Sequence, residues 1–160
     1  MKERIIEILL VEDNPDDVEL ALLALEEYNV ANRIHVVRDG AEALDFIFHR
    51  GAYANREGSD NPRVILLDLK LPLVDGMEVL RQIKADPRTR RIPVVMMTSS
   101  NQERDKMESY DLGVNSYIVK PVDFDQFKES MRSLGFYWLL LNERPPAVEG
   151  AAPLGTGGSA

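Results

Sequence analysis

Ile5-Ile6-Glu7-Ile8-Leu9-Leu10-Val11-Glu12-Asp13-Asn14-Pro15 is the stretch that decides the fold. From Ile5 to Val11 only Glu7 is polar, the pattern of a strand buried on both faces. The run ends on an acidic pair, Glu12-Asp13. Asn14-Pro15 then supplies a helix N-cap and a first-turn proline. Helical periodicity follows to about Glu27, with Val18, Ala21, Leu22 and Leu25 on one face. A buried strand, then acid, then a helix is the unit of a parallel sheet whose ligand crevice lies beyond the strand C-termini.

The alternation repeats along the chain. Arg33 to Val37 reads as a second, shorter strand, and Asp39-Gly40 turns into a helix carrying Ala43, Leu44, Ile47 and Phe48. Gly51 to Arg63 is polar and rich in turn residues, and reads as a long loop. Val64 to Asp68 is the third strand, followed at Asp75-Gly76 by a helix through Met77, Val79, Leu80 and Ile83 that stops near Asp86-Pro87. Pro93 to Thr98 is the fourth strand. Glu103 to Leu112 is a charged helix closed by Gly113. Ser116 to Lys120 is the fifth strand, and Phe124 to Leu141 the last helix. Residues 1–144 form one domain, and the Pro-, Gly- and Ala-rich stretch 145–160 is expected to be a flexible tail. Five strands alternating with five helices predict an α/β fold, a doubly wound five-stranded parallel sheet. Order 2-1-3-4-5 is one of the two common solutions, and its switch point between strands 1 and 3 would set Asp13 opposite Asp68.

Composition excludes several chemistries. The 160 residues suffice for one core. The chain has no cysteine, so thiolate zinc sites, disulfides and cysteine nucleophiles are excluded. Nineteen basic residues against 27 acidic ones give a net charge of −8, which argues against broad nucleic-acid binding. No apolar run approaches the ~20 residues of a membrane span. Met1-Lys2-Glu3-Arg4 leads directly into a strand with no signal-peptide pattern, so a cytoplasmic protein is expected.

Three short stretches place ionisable groups at strand ends: Val11-Glu12-Asp13-Asn14, Leu67-Asp68-Leu69-Lys70-Leu71-Pro72 and Tyr117-Ile118-Val119-Lys120-Pro121. Three carboxylates and a lysine should therefore meet in the crevice. At ~4 Å each carboxylate pair would cost roughly 4 kcal/mol at an effective dielectric near 20, unless a cation sits among them. Hard oxygen donors suit Mg²⁺. Lys120 suits an added phosphoryl group, and Asp68 is the candidate nucleophile, forming an acyl phosphate. Glu12 and Asp13 would hold the metal, with Asp68 and the main-chain carbonyl of Lys70 as further oxygens. Thr98 ends its strand at the same level, so its hydroxyl could donate to a phosphate oxygen, and the small Ser99 beside it leaves the site open. A cis bond before Pro121 would aim Lys120 back into the crevice.

This constellation resembles the response-regulator receiver domain of two-component systems, over about Ile6 to Leu141. The resemblance implies the flavodoxin-like receiver fold and a switch rather than a conventional enzyme. It implies that Asp68 takes a phosphoryl group from a histidine-kinase phosphohistidine with Mg²⁺ required, and that the Lys120-Pro121 peptide is cis. Thr98, Lys120 and Tyr117 become the response residues. Glu12 departs from the commoner Asp in a way that leaves metal binding intact. The Gly51–Arg63 loop and the ending Gly135-Phe136-Tyr137-Trp138-Leu139-Leu140-Leu141-Asn142-Glu143 resemble small regulators that partner phytochrome-type histidine kinases. Six consecutive large apolar residues, Phe136 to Leu141, exceed what one helix face can hide. Together with that resemblance they predict a homodimer through the last helix and the segment after it.

Two alternatives remain open at this level: a metal-dependent phosphatase or phosphotransferase, and a degenerate receiver acting only as an interaction module. Other sites fail on spacing. A calcium loop beginning at Asp13 would need Gly and Glu where the chain has Val18 and Ala24. No GxxxxGK[ST] loop is present. A flavin phosphate site would want Ser, Thr or Gly where this chain places acid. His35 and His49 are expected to be structural or exposed.

Overall fold

A computed structural model describes residues 8–26, 34–56, 61–120 and 124–133. The elements are β1 (Ile8–Val11), α1 (Pro15–Glu26), β2 (Ile34–Val37), α2 (Gly40–Ile47), β3 (Val64–Leu67), α3 (Gly76–Ala85), β4 (Val94–Thr98), α4 (Glu103–Leu112), β5 (Ser116–Val119) and α5 (Phe124–Ser133). The strands form one parallel sheet, as the alternation predicts, and its order is β2-β1-β3-β4-β5, one of the two common solutions for such a sheet. Val11 lies level with both Val37 and Leu67, and Thr98 with Val119, so the strand ends form a common crest.

Successive strand residues face opposite sides of the sheet, and both sides are buried. Leu9, Val11, Ile65, Leu67, Val94 and Met96 pack with Ala43, Leu44, Phe46 and Ile47 of α2 and Val79, Leu80 and Ile83 of α3. Ile8, Leu10, Val64, Leu66, Val95, Met97 and Ile118 pack on the other side with Val18 and Leu25 of α1. This explains why the central strands read as unbroken apolar runs.

Caps fix where helices begin and end. The Asn14 side chain accepts the amides of Asp16 and Asp17, Asp39 accepts that of Glu42, and Asp75 accepts those of Met77 and Glu78. Gly113 closes α4 at φ 106°, a left-handed conformation that favours glycine. Gly76 opens α3 against the backbone just past β3, where an added Cβ would lie 2.1 Å from the Asp68 carbonyl oxygen. A side chain there would push α3 away from the crest.

The stretch expected to be only a polar loop differs at its start. Gly51–Tyr53 is a 3₁₀ turn, because Tyr53 and Arg56 bring surface worth packing. The Tyr53 hydroxyl donates to Glu42 Oε2 at 2.6 Å, and its ring meets Phe46 edge-on. The Arg56 guanidinium lies 4.0 Å from the Phe46 ring centroid and donates to the Phe46 carbonyl. His35 stacks on Phe46 and bonds the Tyr53 hydroxyl, while His49 lies between the Arg56 carbonyl and guanidinium, so both histidines are structural. Pro121 and its peptide bond, the apolar run Phe136–Leu141 and the tail 145–160 lie outside the described residues, as does the end of the predicted last helix beyond Ser133.

Candidate functional site

Backbone hydrogen bonds carry the ladder pattern just past the strands and thereby position the site. The Glu12 amide donates to Val37 O, the Asp68 amide to Val11 O and the Lys120 amide to Thr98 O, at 2.8–3.0 Å. The crest is thus held from both sides of the switch point. Glu12, Asp13 and Asp68 each bring a carboxylate oxygen into a group spanning no more than 4.8 Å. Glu12 and Asp68 are buried and Asp13 is exposed, so the group is open to solvent from one side.

Lys120 reaches into this group. Its Nζ donates to Glu12 Oε1 at 2.6 Å, Asp17 Oδ2 at 2.8 Å and Asp68 Oδ2 at 3.0 Å. Burial alone would lower the lysine pKa, but the three carboxylate bonds outweigh it and hold it above its ordinary value. Burial pushes the Glu12 carboxyl up to about 7, aided by the negative Asp68 and opposed by the bonds from Lys120 and the Asn14 amide. Asp68 Oδ1 also accepts the Lys70 amide at 3.2 Å, so the contact that Lys70 makes here comes from its N–H.

Thr98 is fully buried at the end of β4, and its Oγ1 accepts the Ser100 amide at 3.3 Å. Half-buried Tyr117 on β5 donates its hydroxyl to the Ser100 carbonyl at 2.9 Å. The Ser100 hydroxyl donates to Asp105 Oδ2 on α4 at 2.6 Å. Thr98 and Tyr117 therefore meet at one residue that sequence reasoning passed over. Asp17 was passed over as well. An acidic residue in a first helical turn is expected from the helix dipole alone, and nothing in the local pattern tells that role from a contact with a lysine more than a hundred residues away.

Three carboxylates with hard oxygen donors and one solvent-facing member fit a hard divalent cation. The buried Asp68 oxygens beside an ammonium fit a carboxylate that can carry a phosphoryl group, whose charge the lysine would neutralise.

The comparisons with known proteins agree with this chemistry. The chain is 44% identical over 139 residues to the probable methanogenesis regulatory protein FilR2 of Methanothrix harundinacea, covering 86% of each. It is 39% identical to the response regulator Rcp1 of Synechocystis, covering 82% of this chain and 88% of that one. The solved Mn²⁺-bound form of Rcp1 superposes with a TM-score of 0.70, covering 87% and 98% of the two chains. The bacteriophytochrome response regulator RtBRR superposes with a TM-score of 0.77 at 54% identity, covering 89% and 85%. Residues 8–132 match the profile of the response regulator receiver domain, and with an acidic group, a lysine and a threonine on the crest of a 2-1-3-4-5 sheet, the chain belongs to that family.

Proposed function

We propose that Asp68 is the phosphoacceptor of a phosphorylation-controlled switch, supplied by the phosphohistidine of a histidine kinase. The observation that carries this reading is the convergence of Glu12, Asp13 and Asp68 on one another and of Lys120 on Asp68. An Asp68 carboxylate oxygen attacks phosphorus, the P–N bond of the phosphohistidine breaks, and the imidazole leaves with the electron pair and takes up a proton. Glu12, Asp13 and Asp68 would hold Mg²⁺, with the Lys70 carbonyl as a further oxygen. The cation would supply charge neutralisation for a phosphoryl group approaching three carboxylates. Lys120 pairs with the bound phosphoryl group, and the Thr98 hydroxyl donates to one of its oxygens. Thr98 and Tyr117 then carry the change to the face made by α4, β5 and α5, with Pro121 setting the aim of Lys120.

The kinase we infer is of the phytochrome type, supported by the likeness to a bacteriophytochrome response regulator. The chain modifies itself rather than turning over an external substrate, and the family match does not favour the phosphatase alternative. Its net charge of −8 supports a protein partner over nucleic acid. Among the described residues no helix is long and apolar enough to cross a membrane, consistent with the proposed cytoplasmic location. The test is labelling with acetyl phosphate and Mg²⁺, followed by intact mass. Wild-type protein gains one phosphoryl mass, and Asp68→Asn gains none. Labelling of Asp68→Asn at the wild-type rate, or full labelling in excess EDTA, overturns the reading.

A further inference from the structure

The Lys120 ammonium has three donors, and each meets a different carboxylate: Glu12, Asp17 and Asp68. Glu12 and Asp68 belong to the proposed metal and phosphoacceptor group. Asp17 does not. It stands on the first turn of α1 with its side chain 30% exposed, outside the cluster that Glu12, Asp13 and Asp68 form. The remaining oxygens of Glu12 and Asp68 are engaged too, by the Asn14 and Lys70 amides. A divalent cation drawing on Glu12 and Asp68 must compete with Lys120 for their lone pairs, and it repels the lysine's charge. Lys120 is only 12% exposed. If it yields both carboxylates with no other anion at hand, it becomes a buried unpaired cation, the costly outcome of breaking an ion pair in a protein interior. Asp17 is the anion left to it.

We propose that Asp17 is a positioning residue: it retains Lys120 in the crevice while Glu12 and Asp68 turn to a divalent cation, and so tightens the binding of that cation. The assignment rests on the metal reading of Glu12, Asp13 and Asp68. It differs from a general attraction of cations to acid. Asp16 carries the same charge one residue earlier, is exposed, and is not among the carboxylates bonded to Lys120. Its neutralisation should leave the lysine where it is. Asp17 also keeps the ammonium near Asp68, from which it can move onto an arriving phosphoryl group without entering from solvent.

Calorimetric titration of the full chain with Mg²⁺ tests this. Asp17→Asn should weaken the dissociation constant roughly five- to tenfold, in the range of measured couplings between contacting charges. Asp16→Asn should change it by less than about twofold, the scatter expected of an uncoupled site. Asp17→Glu should recover most of the loss. In a Lys120→Met background the Asp17→Asn effect should shrink to within about twofold, because the lysine through which Asp17 acts is gone. An Asp17→Asn protein that binds Mg²⁺ like wild type overturns the proposal. So does an equal loss in Asp16→Asn, or a loss that persists without Lys120. If Lys120→Met fails to fold by circular dichroism, the comparison of Asp16→Asn with Asp17→Asn decides. Wild-type protein that takes up no Mg²⁺ overturns the metal reading and Asp17's role with it, whereas wild-type uptake with an unchanged Asp17→Asn overturns only the role of Asp17.

Discussion

Glu12 meets two opposed demands under the proposed metal reading, since it is buried at the crest and would have to be ionised to hold a cation. Its carboxyl is pushed up to about 7, whereas His35 is held below its ordinary value, chiefly by burial against Phe46 and Tyr53. The two groups act oppositely on stability as pH changes. The native state binds the Glu12 proton more tightly than the unfolded chain does. That contribution is fully present below the ordinary carboxylate range and is lost as pH rises through about 7. The native state binds the His35 proton less tightly, so its contribution is present above the ordinary histidine value and is lost as pH falls below it. Urea midpoints at pH 7.5 and 5.5, without metal, separate them. Glu12→Gln should lose relatively more stability on acidification than wild type, and His35→Gln relatively less. Parallel changes in all three proteins would refute the assignment of either shift.

At the scale of elements, α4 is held to the body by few apolar contacts. Ser109 is its one buried residue, and the helix depends on polar links: Ser100 to Asp105, Arg81 of α3 to Glu108, and the Ser109 hydroxyl to the Met77 sulfur of α3. Tyr117 and Thr98 both bond the backbone of Ser100, directly before this helix. If, as proposed, a phosphoryl group at Asp68 turns the Thr98 hydroxyl toward it, the Ser100 amide would lose its acceptor, a local event that would bias the position of α4. Crystal structures with and without the phosphoryl group should differ in the Tyr117 rotamer, and identical rotamers would count against this switch. The 51–56 segment is the contrasting case, an element fixed by packing. Tyr53→Phe removes the hydroxyl's bonds with Glu42 and His35 and should cost about 1–2 kcal/mol. Phe46→Ala removes the platform for His35, Tyr53 and Arg56 and should cost about 3–5 kcal/mol. Denaturant unfolding measures both, and equal losses would mean that the aromatic cluster carries little.

For the whole molecule, the sheet collects the chemistry at one crest and leaves the proposed assembly to the C-terminal end. Phe136 to Leu141 is the longest run of large apolar side chains after β4, and such a run exposed on a monomer would form a patch of the kind that marks an interface. The expected outcome is a homodimer by light scattering for the intact protein and a monomer for a chain truncated after Leu134. A monomeric intact protein at high micromolar concentration would end this idea.

The sequence by itself determined the parallel sheet and the residues at its crest, and it narrowed the strand order to two common solutions. Buried parallel strands leave a continuous apolar signature, and chain connectivity prunes the topologies to few. Asp68, Glu12, Asp13, Lys120 and Thr98 were legible because each stands at the end of such a run. Only the tertiary structure decided which groups those residues touch. Asp17 meets Lys120 because the lysine side chain reaches from the end of β5 across the crest to the first turn of α1, and Tyr117 and Thr98 meet at Ser100 because β4 and β5 are paired. Tyr53 and Arg56 order a segment of loop composition because Phe46 offers them a ring across the turn. Periodicity records which face of an element is buried. A hydrogen bond between side chains far apart in sequence leaves no period behind, so it is fixed only when the elements are brought together.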